Sequence, residues 1–327
     1  MRLGLSLPLD GLSLPECVEL AQEAERLGYT DVWTSEINGA DGFGLLAAVA
    51  VRTRSVRLGL AIAPVFTRPA ALLAMTAASI HALSHGRFCL GLGSSTETIV
   101  EDWMGLPFRR PLQRVRETVE AVRRALSGSR VSFEGETVRI HDFRLQLGPT
   151  EVPIVLAALG PRMLRLAGEL ADGVVLSFAG LPAIPIQVAA LGRVGDGENF
   201  DVIQRLGVAV GEDEELLLPA LRRELAVYGR SRAYNASFAR QGYTAEAEGM
   251  RAAWARREWR AAAEAVSDRL VRDTFVFGSP EACREGLMAY SEAGLTTPIV
   301  IPISVHPHPE ERNRRRRRVL EVLAALR

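Results

Sequence analysis

The stretch Val56–Ser95 reads VRLGLAIAPVFTRPAALLAMTAASIHALSHGRFCLGLGSS, and its periodicity decides the fold. Val56–Ala63 is a short apolar run with flanking polar residues, the pattern of a strand covered on both faces. Pro69 then opens a tract to Leu83 with helical length and spacing, and a proline's missing N–H costs nothing in a first turn. A second apolar run, Arg87–Leu92, follows at once. Strand, helix and strand at this spacing make a βα unit on a parallel sheet.

The same rhythm extends in both directions. Upstream, strands are predicted at Leu3–Leu7 and Asp31–Thr34, and helices at Leu14–Leu27 and Gly42–Arg52, the first with Ser13 as N-cap and Gly28 as its stop. Downstream come a helix at Pro111–Leu126, a strand at Val152–Ala158, a helix at Pro161–Leu170 and a strand at Gly173–Phe178. Ile203–Val210 and Pro298–Ile303 supply a seventh and an eighth strand. Eight strands in this alternation predict an α/β fold, a (β/α)8 TIM barrel with insertions, built as one domain over residues 1–327. Three segments interrupt the rhythm: a hairpin at about 131–140, a Gly/Pro-punctuated loop at about 178–200 that reads as a lid, and a helical insertion at about 214–270.

Composition narrows the function. The 327 residues carry 39 Lys+Arg and 39 Asp+Glu, so no net field favours nucleic acid or an anionic membrane, and small-molecule ligands fit better. Cys17, Cys89 and Cys283 form no CxxC pair, which argues against a zinc site or a disulfide framework. No run reaches the length of a membrane span and no secretory signal pattern stands at the start, so the chain reads as cytoplasmic. The patterns GxSxG, HExxH and the P-loop are absent, as is a GxGxxG opening a βαβ unit. Arg312–Arg318 reads as the solvated face of a helix whose Val319, Leu320, Leu323 and Leu326 dock on the body or on a partner.

In such a barrel the chemistry sits where strands end. After the second strand, Glu36 is a candidate acid/base or hydrogen-bond partner for a cofactor ring, while Asp41 reads as an N-cap. After the third, Ala61 and Ile62 offer an apolar platform, and Arg68 is either a contact for an anionic tail or a surface charge. After the fourth, Ser94 and Ser95 follow small residues that allow close backbone approach. After the fifth, Gly160, Pro161, Arg162 and Met163 open a helix, a ready phosphate site. His306 follows the eighth strand and reads at most as a substrate contact. No metal site is expected, and His81 and His85 fall at the opposite, structural end.

The segments AERLGYTDVWTSE, TRPAALLAMTAASIHALSHGRFCLGLGSS, GLPFRRP, PIVLAALGPRMLRLAGELADGVVL and FGSPEACREGLMAYSEAGLTTPIV resemble the luciferase-like monooxygenase superfamily, most closely its branch of coenzyme F420 (deazaflavin) oxidoreductases. The resemblance implies a bacterial luciferase-like barrel, frequent homodimers and a cofactor at the strand C-termini. It implies a non-proline cis peptide at Ala61–Ile62 beneath the deazaflavin ring, Gly160–Met163 at the cofactor phosphate, and Ser94 and Ser95 beside the ring or its chain. Several relatives carry an acidic residue followed by histidine where this chain has Glu36 and Ile37, which leaves the acid/base role open. The expected activity is hydride transfer between F420 and a small organic substrate. The alternatives are an FMN-dependent two-component monooxygenase supplied by a reductase, and a non-catalytic cofactor-binding protein.

Overall fold

The alternating pattern closes into a parallel barrel. The computed structural model describes residues 1–192 and 200–325. In chain order its first half contains β1 (Gly4–Leu7), α1 (Leu14–Arg26), β2 (Asp31–Thr34), α2 (Gly42–Ala50), β3 (Arg57–Leu60), β4 (Ala63–Pro64), α3 (Ala70–Leu83), β5 (Phe88–Gly93) and α4 (Pro111–Leu126). The hairpin β6 (Val131–Glu134) and β7 (Arg139–Phe143) precedes β8 (Ile154–Ala157), α5 (Pro161–Leu170), β9 (Gly173–Leu176), α6 (Ile184–Ala190) and β10 (Asp201–Val210). Five helices follow: α7 (Glu214–Gly229), α8 (Arg232–Arg240), α9 (Thr244–Ala255), α10 (Trp259–Glu264) and α11 (Asp268–Thr274). The chain ends with β11 (Val276–Gly278), α12 (Pro280–Glu292), β12 (Thr297–Pro302) and α13 (Pro309–Ala324).

Eight strands, in the order β1, β2, β3, β5, β8, β9, β10 and β12, form the barrel, with β12 pairing back onto β1. Its long strand β10 pairs with β9 through Asp201–Gln204 and with the short β11 through Val208–Val210. Local chemistry explains the boundaries. Ser13 and Glu16 form a reciprocal capping box at the start of α1, which satisfies two amide donors that a helix start leaves open. Asp41 caps α2 by accepting from Gly44 N at 2.6 Å.

The structure revises one element. Residues 184–190, read from sequence as part of a lid loop, are helical. Pro182 and Pro185 stand in first turns, where proline fits a helix as readily as it marks a loop. Residues 193–199 of that predicted loop lie outside the described residues.

Inside the barrel the side chains form layers. At the strand N-terminal end, Arg57 lies between Asp31 and Asp201 and points toward Thr297. Above it, Trp33, Cys89, Val155, Val175, Ile203 and Ile299 fill the bore as a separate apolar cluster. Trp33 fits because β3 has a glycine beside it: a Cβ on Gly59 would stand 2.3 Å from the indole.

Glu117 of α4 ties the hairpin to the barrel. Its carboxylate accepts from the amides of Glu136, Thr137 and Val138, from the Thr137 hydroxyl and from Gln113. Burial works against ionisation, but these donors outweigh it and hold the carboxyl below its ordinary range. The resulting stability is present above the unfolded carboxyl value near 4.3 and is lost as pH falls through the lower folded value. The hydrogen-exchange protection factors of the Glu136–Val138 amides are therefore expected to fall below about pH 4. Glu117→Ala, which strands three amides, is expected to cost about 3 kcal/mol. Unchanged exchange in that variant would contradict the role.

The arginine run of α13 is anchored to the body. Arg316 donates to Asp10 O, Arg317 pairs with Glu23, and Arg315 pairs with Glu311 and Glu212. Val319, Leu320 and Leu323 are buried, and Leu326, read from sequence on the same face, lies outside the described residues. Among the described residues no helix is long and apolar enough to cross a membrane.

Candidate active site

At the C-terminal end of the strands the barrel opens into a cup. The Trp33 layer, no residue of which is more than 5 % exposed, is its floor. The next inward positions, Ala61, Ile62, Ala157, Ser177, Arg205 and Ile301, are half-buried and so reach open space. The step from a sealed layer to an accessible one marks a recess at the end where barrels place their chemistry. A second cleft, of about 1440 Å³, opens at the opposite end, lined by Arg2, Arg57, Asp172 and Asp201 among others. Those residues stand at strand N-termini, the face that serves stability.

One wall of the cup is a break in the third strand. Between β3 and β4 the Ala61–Ile62 peptide is cis, and Ala61 N donates to Thr34 O at 2.7 Å. The neighbouring strand makes room with glycines. A Cβ on Gly91 would stand 1.8 Å from Leu60 O, and one on Gly93 would crowd Ile62 and Ala157 at 3.0–3.1 Å. Ser94 and Ser95 continue from β5 along the rim, half-buried, and Ser95 holds φ +62. Phe178, just past β9, has φ +49. Such left-handed, non-glycine conformations cost energy and are common at binding rims.

Glu36 follows β2 at the rim and is not a free carboxylate. Arg68 grips it from two nitrogens, with Nε at 3.0 Å from Oε2, and donates also to Asp41 at 2.7 Å. The Arg68 guanidinium lies 4.6 Å over the Phe43 ring. The bonds to Glu36 hold the Arg68 pKa above its ordinary value despite burial. The structure thus joins Glu36 and Arg68, which sequence reasoning treated separately. A carboxylate gripped by a fork of this kind is fixed in place and orientation.

Gly160, Pro161, Arg162 and Met163 open α5. The amides of Gly160 and Arg162 find no backbone acceptor among the described residues, while Met163 N and Leu164 N turn back to Gly160 O. Arg240, at the end of α8, reaches over this start: its Nη2 donates to Leu159 O at 2.8 Å and lies 3.5 Å from the place of a Gly160 Cβ. Open amides, a helix N-terminus and a nearby cation are features that favour an anion. Sequence analysis missed Arg240, which comes from the helical insertion and carries no local signature. His306 stands apart. Its amide donates to Ser304 and its ring lies 5.6 Å from that of His308, and among the described residues no hydrogen bond joins it to the groups above.

The luciferase-like monooxygenase family model matches residues 1–297. The chain belongs to this family. The 5,10-methylenetetrahydromethanopterin reductase of Archaeoglobus fulgidus is 28% identical over 284 residues, covering 84% of this chain and 85% of that one. Among solved structures, the coenzyme F420-dependent tetrahydromethanopterin reductase of Methanopyrus kandleri superposes with a TM-score of 0.81 at 23% identity, covering 99% and 97%. The oxygenating constituent of 3,6-diketocamphane monooxygenase from Pseudomonas putida, in complex with FMN, superposes with a TM-score of 0.68 at 19% identity, covering 99% and 97%. This luciferase-like chain is therefore a (β/α)8 barrel of the same fold as both cofactor classes. Among the described residues no group of three His, Cys, Asp or Glu is close enough to hold a metal ion.

Proposed function

We propose that this protein is an F420-dependent oxidoreductase that transfers a hydride between the deazaflavin and a small organic substrate in the cup. The observation that carries the reading is the pairing of a glycine-lined, bulged wall with an anion site of open amides and Arg240, at one end of one barrel. The residues fit such a cofactor. Ala61 and Ile62 would support the ring, Ser94 and Ser95 its chain, and Gly160–Met163 with Arg240 its phosphate. When bound, the deazaflavin supplies a hydride donor or acceptor, and the hard chemistry is its own.

The chain's own groups orient and shield. Glu36, fixed by Arg68, offers a hydrogen-bond acceptor at the rim. The helices α7 and α8 cover one side of the cup and exclude water. We assign the lid to them rather than to residues 178–192.

Gly160→Asp tests the anion site cleanly. Gly160 has φ −134 and ψ 161, ordinary for an N-cap aspartate, so the helix start is expected to be as stable or better. The new carboxylate stands beside the amides and Arg240 and opposes a phosphate. F420 affinity, read by fluorescence titration, is expected to fall at least about tenfold, ~1.4 kcal/mol, with no loss of thermal stability. Unchanged affinity would remove the anion site from the account.

The protein is further proposed to work as a cytoplasmic homodimer. Its three cysteines are free and buried, which suits a reducing compartment. The outer face of α3 exposes Leu72, Met75 and Leu83, the last lining a surface cleft with Val51 and Leu147, and exposed apolar surface of this kind marks an association surface. Sedimentation at micromolar concentration is expected to give twice the 35.6 kDa chain mass, and Met75→Asp to give the monomer. A monomeric wild type would refute this.

A further inference from the structure

Beyond the cofactor wall, the cup holds one cation that nothing above uses. Arg205 lies on β10 between Gln204, which faces outward to bond Ala179, and Leu206 in the main core. Its own side chain faces inward. Nε donates to Ser6 Oγ at 3.1 Å, and Ser6 lies on β1, separated from β10 by β12, so the bond is made inside the barrel. That is its sole hydrogen bond among the described residues, and it forms no ion pair there. The two Nη nitrogens of this half-buried arginine have no hydrogen-bond partner among the described residues, and an arginine with open donors inside a protein is suited to receive an oxygen.

The surroundings describe what carries that oxygen. Ser177 at the end of β9 hydrogen-bonds Tyr234 of α8 at 3.2 Å. Tyr228 of α7 stacks within 4.4 Å of Phe178 and 4.9 Å of Tyr234. An aromatic wall therefore stands beside the cation. Glu224 of α7 is close enough for Arg205 to favour its ionised form, yet burial is the larger effect and pushes its carboxyl upward. No ion pair joins the two among the described residues.

Resting on the proposed oxidoreductase reading, we propose that Arg205 anchors the substrate, and that the substrate is a compact apolar or aromatic molecule bearing a carboxylate. The carboxylate accepts from the Arg205 fork, and the body packs on Phe178, Tyr228 and Tyr234. Arg205 acts as a specificity-determining residue, selecting anionic over neutral substrates of the same shape.

The test uses benzoate and its neutral isostere benzamide as probes, titrated calorimetrically into the full-length protein with and without saturating F420. Benzoate is expected to bind saturably, at least about tenfold tighter than benzamide. Arg205→Gln is expected to lose that preference, and Arg205→Lys to keep part of it, since it retains the charge without the fork. F420 affinity measured on the same samples is expected to stay within about threefold, a change worth less than one tenfold step. Equal binding of the two probes, no benzoate binding, or an unchanged preference in Arg205→Gln would overturn the proposal. Failure to bind F420 with the benzoate preference intact would overturn the cofactor reading and leave Arg205 as the anchor. Should Arg205→Gln not fold, the Arg205→Lys titration alone decides, with an undiminished benzoate preference counting against the fork.

Discussion

Gly91→Ala is expected to destabilise the protein by about 3 kcal/mol and to weaken F420 binding in the same variant. The methyl group would arrive 1.8 Å from Leu60 O, a backbone atom that cannot rotate away. Either β5 moves outward or the bulged third strand retreats, and overpacking of this kind costs about 1–3 kcal/mol or more. Because the bulge is the platform proposed for the ring, stability and cofactor affinity are coupled at this one position. Gly39→Ala is the control, since nothing lies within 4 Å of its added carbon. Urea unfolding of the pair is expected to separate them by most of the 3 kcal/mol. Equal stability would show that β5 does not need its glycine.

Arg57→Leu is the second large effect, expected at about 3–5 kcal/mol. Asp31 is fully buried and receives Arg57 Nε, while Asp201 receives Nη1, and the guanidinium lies 5.4 Å from the Trp33 ring centre. Burial disfavours the charged arginine, yet the two aspartates outweigh that and raise its pKa above the ordinary value. Removing the cation leaves the buried Asp31 with only the Trp33 indole at 3.3 Å and the more distant Arg2 at 3.9 Å. The double variant Arg57→Leu/Asp31→Leu is therefore expected to be more stable than Arg57→Leu alone, because it removes both members of the buried pair. A single-variant loss under about 1 kcal/mol would mean that water solvates this end of the barrel.

These two positions also show what the chain makes legible. The barrel was readable because both faces of its strands are covered, so apolar runs alternate with amphipathic helices from Leu3 to Leu176. The α5 start was readable because Gly-Pro directly after a strand has few other uses. The 184–190 helix was not, since Pro182 and Pro185 signal loops and first turns alike. Glu36 and Arg68 are 32 residues apart, and only the fold brings them together. Arg205 was within reach: alternation along β10 puts Asp201, Ile203, Arg205 and Gly207 on the inner face, and an inward arginine midway along a barrel strand is a signal in itself. Tyr228, Tyr234 and Arg240 were beyond reach, because the insertion helices return to the barrel mouth by tertiary packing alone.

The most direct test of the central claim is a co-crystal structure with F420, preceded by parallel titrations with F420 and FMN. Preferential F420 binding is expected, with the ring against Ala61–Ile62 and the phosphate within hydrogen-bond reach of the Gly160 and Arg162 amides. F420 seated in the cleft at the opposite end, or FMN bound in the cup with F420 excluded, would contradict it.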